Sequence, residues 1–519
     1  TLVREGEDWL DLSASRPELS GGDGTATRVD HPSRSAFELG TGSTYRMDKH
    51  LPEIASLLDP EQYEVITSPD QGLIVVKGSA GSGKTTVALH RVAYLAFLDP
   101  SRFKPRATLV VVFSRALAAY IGQVLPGLGV EGVKVRTFAS WANEQRRHHV
   151  KGMPDAYSDG TPAVVTRLKL HSALEAMLQE ACGRRPDSNP RQLFEELFSD
   201  REWLGRGFER YAKGAFSDAE LDEVHRWCTR QSFNRMDGGG DAEGEEPSLD
   251  TEDDAILIRL YQRLKGALKS PDGRSELRYR HLVVDEAQDL SPLELAVLLD
   301  TVRDGDPITL AGDTAQQIVE ASDFQDWEHT LDILGVPHAK VSPLKISYRS
   351  TAQIMALAQE VLGPLAPEEP PESGRDGAPV ELFTFREQGE AMTFLSDALW
   401  GLTEREPSAS VAVLCRLATQ AEVVHSALCR AELPALHLVR DYDFTFRPGV
   451  EVAEISQAKG LEFDYVIVWD CDSKTYPITN ASRHLLHVAI TRSAHQCWLI
   501  AVGDSSPLLP AELVSQRIE

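Results

Sequence analysis

Two textures of apolar residues alternate along the chain. Continuous runs rich in β-branched residues occur at Leu73-Ile74-Val75-Val76, Leu109-Val110-Val111-Val112-Phe113, His281-Leu282-Val283-Val284 and Pro307-Ile308-Thr309-Leu310. Apolar residues at helical spacing follow, as at Ala88, Val92 and Leu95. Strands apolar on both faces are those of a parallel sheet covered by helices, so the pattern predicts an α/β fold. Between Ser140 and Arg280 the β-rich runs stop and amphipathic helical spacing takes over, as at 168–182 and 256–268, which predicts a helical insertion in the first sheet domain. A second series of strands is predicted at Val380-Glu381-Leu382-Phe383, Val411-Ala412-Val413-Leu414, Val452-Ala453-Glu454-Ile455 and Tyr465-Val466-Ile467-Val468, after a Pro/Glu/Gly-rich connector at 368–377. Residues 1–46 cluster Gly, Ser, Thr and Asp without periodicity and read as a tail or the remnant of an upstream region. The expected organisation is therefore that tail, a first α/β domain at 47–140 and 281–340, the insertion at 141–280, and a second α/β domain at 341–519.

The turn after the first predicted strand carries chemistry. Gly78-Ser79-Ala80-Gly81-Ser82-Gly83-Lys84-Thr85-Thr86 satisfies G-x-x-x-x-G-K-[ST] and lies between a buried strand and a helix. Glycines let backbone N–H groups turn towards phosphate oxygens, and the helix N-terminus adds partial positive charge. Lys84 would reach the β- and γ-phosphates, and Thr85 would hold Mg²⁺. Val283-Val284-Asp285-Glu286 supplies the complement, a strand ending in two carboxylates, with Asp285 as a Mg²⁺ ligand and Glu286 polarising the attacking water. Phosphoryl transfer also needs cations at the γ-phosphate, expected from downstream.

Composition bounds the partners. The 519 residues hold 53 Lys+Arg against 79 Asp+Glu, a net charge of −26, so the surface as a whole should repel nucleic acid and membrane phosphates and any phosphate chemistry must be local. No apolar run is long enough to span a bilayer, and the six cysteines lack C-x-x-C spacing, which together predict a cytoplasmic protein with no membrane partner. The chain starts at Thr1 rather than Met, so an upstream region is expected to precede it. The stretch 237–254 holds nine acids and no base and is expected to be a solvated, mobile loop. The basic cluster Arg146-Arg147-His148-His149-Val150-Lys151 reads first as a solvated helix face, and second as a contact to a phosphate backbone or an acidic partner.

Taken in order, these segments resemble the UvrD/Rep-like branch of the superfamily 1 helicases across about 50–505. The resemblance implies two RecA-like parallel-sheet P-loop domains, with ATP and Mg²⁺ as cofactors. In Leu58-Asp59-Pro60-Glu61-Gln62 it implies that Gln62 reads adenine. In Ala311-Gly312-Asp313-Thr314-Ala315-Gln316-Gln317 it makes Gln316 the γ-phosphate sensor. In Ser347-Tyr348-Arg349-Ser350-Thr351, Tyr348 would stack on adenine and Arg349 contact the γ-phosphate. In Lys459-Gly460-Leu461-Glu462-Phe463, Glu462 would meet the ribose, and in Val488-Ala489-Ile490-Thr491-Arg492-Ser493, Arg492 would be the arginine finger. ATP binding would draw the two domains together and hydrolysis release them. The implied activity is an ATP-dependent motor moving 3′→5′ on single-stranded DNA, with single-stranded or duplex DNA as partner and a monomer as the expected state.

The stretch from Lys77 to Leu95, with Phe113-Ser114-Arg115, 124–129 and Arg136-Thr137-Phe138-Ala139, is similar to the HelD-like subgroup, whose studied members act on RNA polymerase. That resemblance implies an alternative in which ATP-driven closure remodels RNA polymerase rather than unwinding DNA. The chain also departs from the family pattern. After Gln317 stands Ile318-Val319-Glu320-Ala321-Ser322 instead of an aromatic and Arg-Gly, leaving Trp327 as the candidate base-stacking side chain. Ser456-Gln457-Ala458 replaces Thr-x-His, and only 109 residues (positions 350 to 458) lie between Arg349 and Lys459, too few for the family's large regulatory insertion.

Overall fold

The computed structural model describes residues 2–5, 8–11, 59–236, 247–317, 324, 326–348, 350–367, 372–373 and 375–514. The chain divides into two compact units: Glu64–Lys77 with Val87–Ser342, and Thr1–Tyr63 with Gly78–Thr86 and Pro343–Glu519. Near the start, β1 (Leu2–Glu5) pairs antiparallel with β2 (Asp8–Asp11).

The first sheet contains β3 (Leu73–Gly78), β4 (Thr108–Val112), β5 (Lys134–Thr137), β6 (His281–Val284), β7 (Ile308–Gly312) and β8 (Lys340–Leu344), in the order β5-β4-β6-β7-β3-β8. The pairings among β3 to β7 are parallel. Val75, Val110, Val283 and Leu310 are fully buried, as the continuous apolar runs require. β5 escapes sequence detection because Lys134-Val135-Arg136-Thr137 is a half-exposed edge strand with alternating charge.

The insertion is helical: Phe138–His149, Ala163–Leu170, Ala173–Arg184, Pro190–Phe198, Arg201–Tyr211, Asp218–Met236 and Asp253–Lys265. The single helix expected at 168–182 is two. His171 is extended at ψ 137° and its Nδ1 accepts from the Ala173 amide at 3.1 Å, which satisfies the second helix's first turn and breaks the first.

The acidic stretch differs from expectation. Residues 237–246 lie outside the described residues, but Asp250, Asp253 and Asp254 are buried rather than solvated. Lys169, itself buried, places its Nζ 2.6 Å from Asp250 Oδ2 and 2.5 Å from Asp253 Oδ1. Asp250 also accepts from Thr161 Oγ1 at 2.7 Å, Trp227 Nε1 at 3.0 Å and Gln231 Nε2 at 2.9 Å. Burial works against the Lys169 charge, but Asp253 and Asp250 outweigh it and hold the ammonium above its ordinary range. The basic cluster is likewise not one solvated face: Arg146 is buried and its Nε donates to Asp254 Oδ1 at 2.9 Å, while Arg147 pairs with Asp155. The partner of Arg146 lies 108 positions away, where composition cannot point.

In the other unit, β9 (Ile346–Ser347) pairs in parallel with β10 (Glu372–Ser373). The second six-stranded sheet holds β11 (Glu381–Phe385), β12 (Ser410–Cys415), β13 (Leu436–Leu438), β14 (Gly449–Glu454), β15 (Phe463–Val468) and β16 (Ser493–Val502), in the order β11-β16-β15-β12-β14-β13. All these pairings are parallel. The helices Gln388–Arg405 and Ala418–Arg430 cover one face through Leu395, Leu399, Val424 and Leu428. The fold is α/β, with two RecA-like parallel sheets and a helical insertion in the first.

Candidate active site

The phosphate loop leaves β3 at Gly78 and enters the helix Lys84–Leu98. Its turns need glycine: Gly81 and Gly83 stand at φ 73° and 84°. A Cβ on Gly78 would lie 2.3 Å from Ser82 Oγ, which donates to Ser79 O at 2.9 Å and closes the loop. Lys84 is buried and its Nζ donates to Ser79 O at 2.9 Å, so its ammonium lies along the inner side of the loop. Thr85 is partly buried, and Thr86 is buried. This glycine cradle, with a buried cation and a helix N-terminus, fits a triphosphate.

One end of the loop is built from three segments of the same unit. Gln62, on the helix Pro60–Ile66, donates through Nε2 to Ser82 O at 3.1 Å. The Tyr348 amide donates to Gly81 O at 3.2 Å and Ser347 Oγ to Ala80 O at 2.9 Å. Asp59 ties both sides together, accepting from the Gln62 amide at 2.7 Å on Oδ1 and from the Tyr348 hydroxyl at 2.6 Å on Oδ2. The Tyr348 ring remains 38% exposed, which leaves a face for a base. Desolvation, followed by the Asp59 carboxylate, raises the Tyr348 hydroxyl above its usual range, so it stays a donor.

The carboxylates stand at the end of β6. Asp285 and Glu286 are both buried, and the Asp285 amide donates to Val111 O on β4 at 2.9 Å. Glu286 adopts φ 53°, a left-handed conformation unfavourable for a residue with a Cβ, where local strain re-aims the side chain. Its Oε2 accepts from Gln288 Nε2 at 2.6 Å, and Gln288 Oε1 accepts from the Asp313 amide at 3.0 Å. Asp313 Oδ2 then accepts from Gln316 Nε2 at 2.5 Å. Glu286 and Gln316, 30 positions apart, are thus linked through Gln288 and Asp313, neither of which the motif reading singled out. A Cβ on Gly312 would lie 2.5 Å from Gln288 Oε1, which is why glycine precedes Asp313.

Arg492 is buried, not a surface cation. Its guanidinium donates to Val488 O at 3.1 Å, Leu461 O at 3.3 Å and Thr491 Oγ1 at 3.3 Å. Its own carbonyl accepts from the Phe463 amide at 3.0 Å, so the arginine segment and the segment bearing the half-buried Glu462 are one piece. Arg349 lies outside the described residues, but both neighbours are placed: Tyr348 on the phosphate loop, and Ser350, whose Oγ donates to Ser493 O at 2.9 Å.

The profile of the UvrD/REP helicase N-terminal domain matches residues 58–320, and that of the UvrD-like helicase C-terminal domain matches 449–500. The chain belongs to the UvrD/REP helicase family. It is 28% identical to the ATP-dependent DNA helicase UvrD2 of Mycobacterium tuberculosis, over 72% of this chain and 54% of that protein. It is 26% identical to DNA helicase II of Escherichia coli, over 73% and 51%. With the ATP-dependent DNA helicase PcrA of Bacillus subtilis the identity is 23%, over 73% and 50%. The chain spans about half the length of the curated relatives it matches.

Within this UvrD/REP-family chain, the departures from the family pattern have structural counterparts. Trp327 is not an exposed platform: it is buried, its ring packs edge-on against Phe324 at 5.2 Å, and its Cζ2 lies 2.7 Å from where a Gly312 Cβ would be. Residues 318–322 lie outside the described residues. Gln457, in the segment replacing Thr-x-His, accepts from the Tyr442 amide at 3.0 Å, and Ser456 Oγ donates to Glu454, so two of these side chains serve the chain itself. No helix among the described residues is long and apolar enough to cross a membrane.

Proposed function

We propose that this protein is an ATP-dependent superfamily 1 motor that moves 3′→5′ along single-stranded DNA. The observation that carries the reading is the cradle formed by Gln62, the loop 78–86 and Tyr348, with Asp59 bonded to both sides. ATP would lie with its adenine against Tyr348 and Gln62, its ribose against Glu462, and its phosphates along Gly78 to Thr86. Lys84 would neutralise the β- and γ-phosphates, and Thr85 and Asp285 would hold the Mg²⁺. Glu286 would orient the attacking water, Gln316 would sense the γ-phosphate, and Arg349 and Arg492 would meet the charge that develops on it. A cytoplasmic location and a monomeric state go with this reading, as does binding of single-stranded or duplex DNA, in keeping with relatives named as DNA helicases.

The net charge of −26 favours a second reading, because it weakens nonspecific DNA binding. In that reading, as in HelD-like proteins, turnover remodels RNA polymerase. ATPase activity measured alone, with single-stranded DNA and with RNA polymerase separates the two. Stimulation by DNA supports the helicase reading; stimulation by polymerase alone replaces it. Unchanged ATP turnover in E286Q would overturn the role of Glu286 in both.

A further inference from the structure

Residues 372–373 and 375–377 form a strap across the N-terminal end of the helix Ala352–Leu362, directly downstream of Arg349. β10 pairs with β9 along Glu372–Ser373, and Ser373 Oγ donates to Ser350 O at 2.9 Å. The Ala352 amide donates to Arg375 O at 2.7 Å, and the Gly377 amide donates to Gln353 Oε1 at 2.9 Å. A Cβ on Gly377 would stand 2.2 Å from Thr351 Cγ2, so the strap lies tight against the residue that caps this helix.

The same strap reaches β16. Arg375 Nη2 donates to His495 Nδ1 at 3.1 Å, and His495 is buried. A guanidinium has only donors, so Nδ1 is the acceptor and the imidazole proton sits on Nε2, which faces Asp464 Oδ1 at 3.7 Å. Asp464 is fixed in turn, its Oδ2 accepting from the Ser410 amide at 2.8 Å and from Ser410 Oγ at 3.1 Å. With Ser350 Oγ on Ser493 O, two fastenings join 350–352 to 493–495, the segments that follow Arg349 and Arg492.

We propose that Arg375 and His495 are positioning residues that hold the Arg349 and Arg492 segments as one body, so that the two arginines meet the nucleotide at a fixed spacing. The inference rests on the motor reading above and adds the element that sets its geometry. Their polar contacts reach each other, Asp464 and the Ala352 backbone, so each would act through the backbone that carries an arginine.

The test is steady-state ATPase of the full chain with single-stranded DNA. H495F removes the acceptor and the donor while keeping a ring; H495Q keeps an amide oxygen for Arg375 and an N–H for Asp464. H495F and R375A are each expected to lower kcat about tenfold with KM for ATP within about twofold, the signature of an interaction expressed in the transition state. The double variant should be no worse than either single, because the two residues form one link. H495Q should recover kcat to within about threefold of the parent, which generic destabilisation would not give. Should H495F fail to fold, R375A carries the same expectation. Normal kcat in R375A and H495F while E286Q loses turnover would overturn this inference alone. H495Q as impaired as H495F would overturn it too. Normal turnover in E286Q would instead overturn the motor chemistry on which it rests.

Discussion

The Tyr348 hydroxyl donates to Asp59 Oδ2 across 2.6 Å, joining residues 289 positions apart at one end of the phosphate loop. Oδ1 of the same carboxylate accepts from the Gln62 backbone N–H, so the Tyr348 ring and the helix turn that carries Gln62 are set by one side chain. Replacing Tyr348 with Phe keeps the ring and deletes only this bond. The expected result is a rise in KM for ATP of about fivefold, matching about 1 kcal/mol for a lost hydrogen bond, with kcat within about twofold. Y348A, which also removes the stacking face, should bind ATP more weakly than Y348F in a nucleotide titration.

Gln288 bridges the Glu286 carboxylate and the Asp313 backbone, and Asp313 holds Gln316. Q288A should therefore misplace the water-orienting and phosphate-sensing groups together. A drop in kcat on the order of tenfold to a hundredfold is expected, with ATP affinity nearly unchanged. Single-turnover hydrolysis beside equilibrium nucleotide binding checks the split.

Lys169 is buried between Asp250 and Asp253. K169M would leave two carboxylates buried without their counter-charge, and the expected loss of stability is about 3–5 kcal/mol in denaturant unfolding. Adding D250N and D253N to K169M should return part of it, because neutral amides carry a smaller desolvation cost.

His281 sets an acid limit. Its ring is buried at the start of β6, with Nε2 3.1 Å from Thr309 Oγ1, and desolvation, aided by the Arg91 charge, lowers its pKa from 6.5 to about 3. The unfolded chain takes up this proton near pH 6.5 and the folded chain does not. Stability from this group is thus full above pH 6.5 and falls by about 1.4 kcal/mol per pH unit down to about pH 3. H281Q should flatten that part of the curve when unfolding is measured at pH 7, 6 and 5.

The phosphate loop and the Asp285-Glu286 strand were legible because their chemistry is local: glycines where φ is positive, a lysine at a helix start, carboxylates at a strand end. Most strands of both sheets were legible because burial on two faces fills them with apolar residues. β5, β8 and β13 were not, since polar residues such as Lys134, Arg136, Lys340 and His437 interrupt them, and β16 went unread although its run at 497–501 is apolar and buried. Long-range roles were hidden for another reason. Nothing near Asp250 in sequence announces Lys169, and nothing in Asp-Glu-Ala-Gln-Asp says that Gln288 reaches Asp313. A run of acids looks solvated until its cations, contributed from 81 to 108 positions away, are placed beside it.

Asp250 also changes how segment 237–246 can be used. Trp227 and Gln231, on the helix that precedes the segment, each donate to Asp250, just after it, so both flanks are pinned independently of what runs between them. A peptide spliced between 236 and 247 is therefore expected to leave the Trp227–Asp250 and Gln231–Asp250 bonds in place, which unfolding of the spliced chain in denaturant checks.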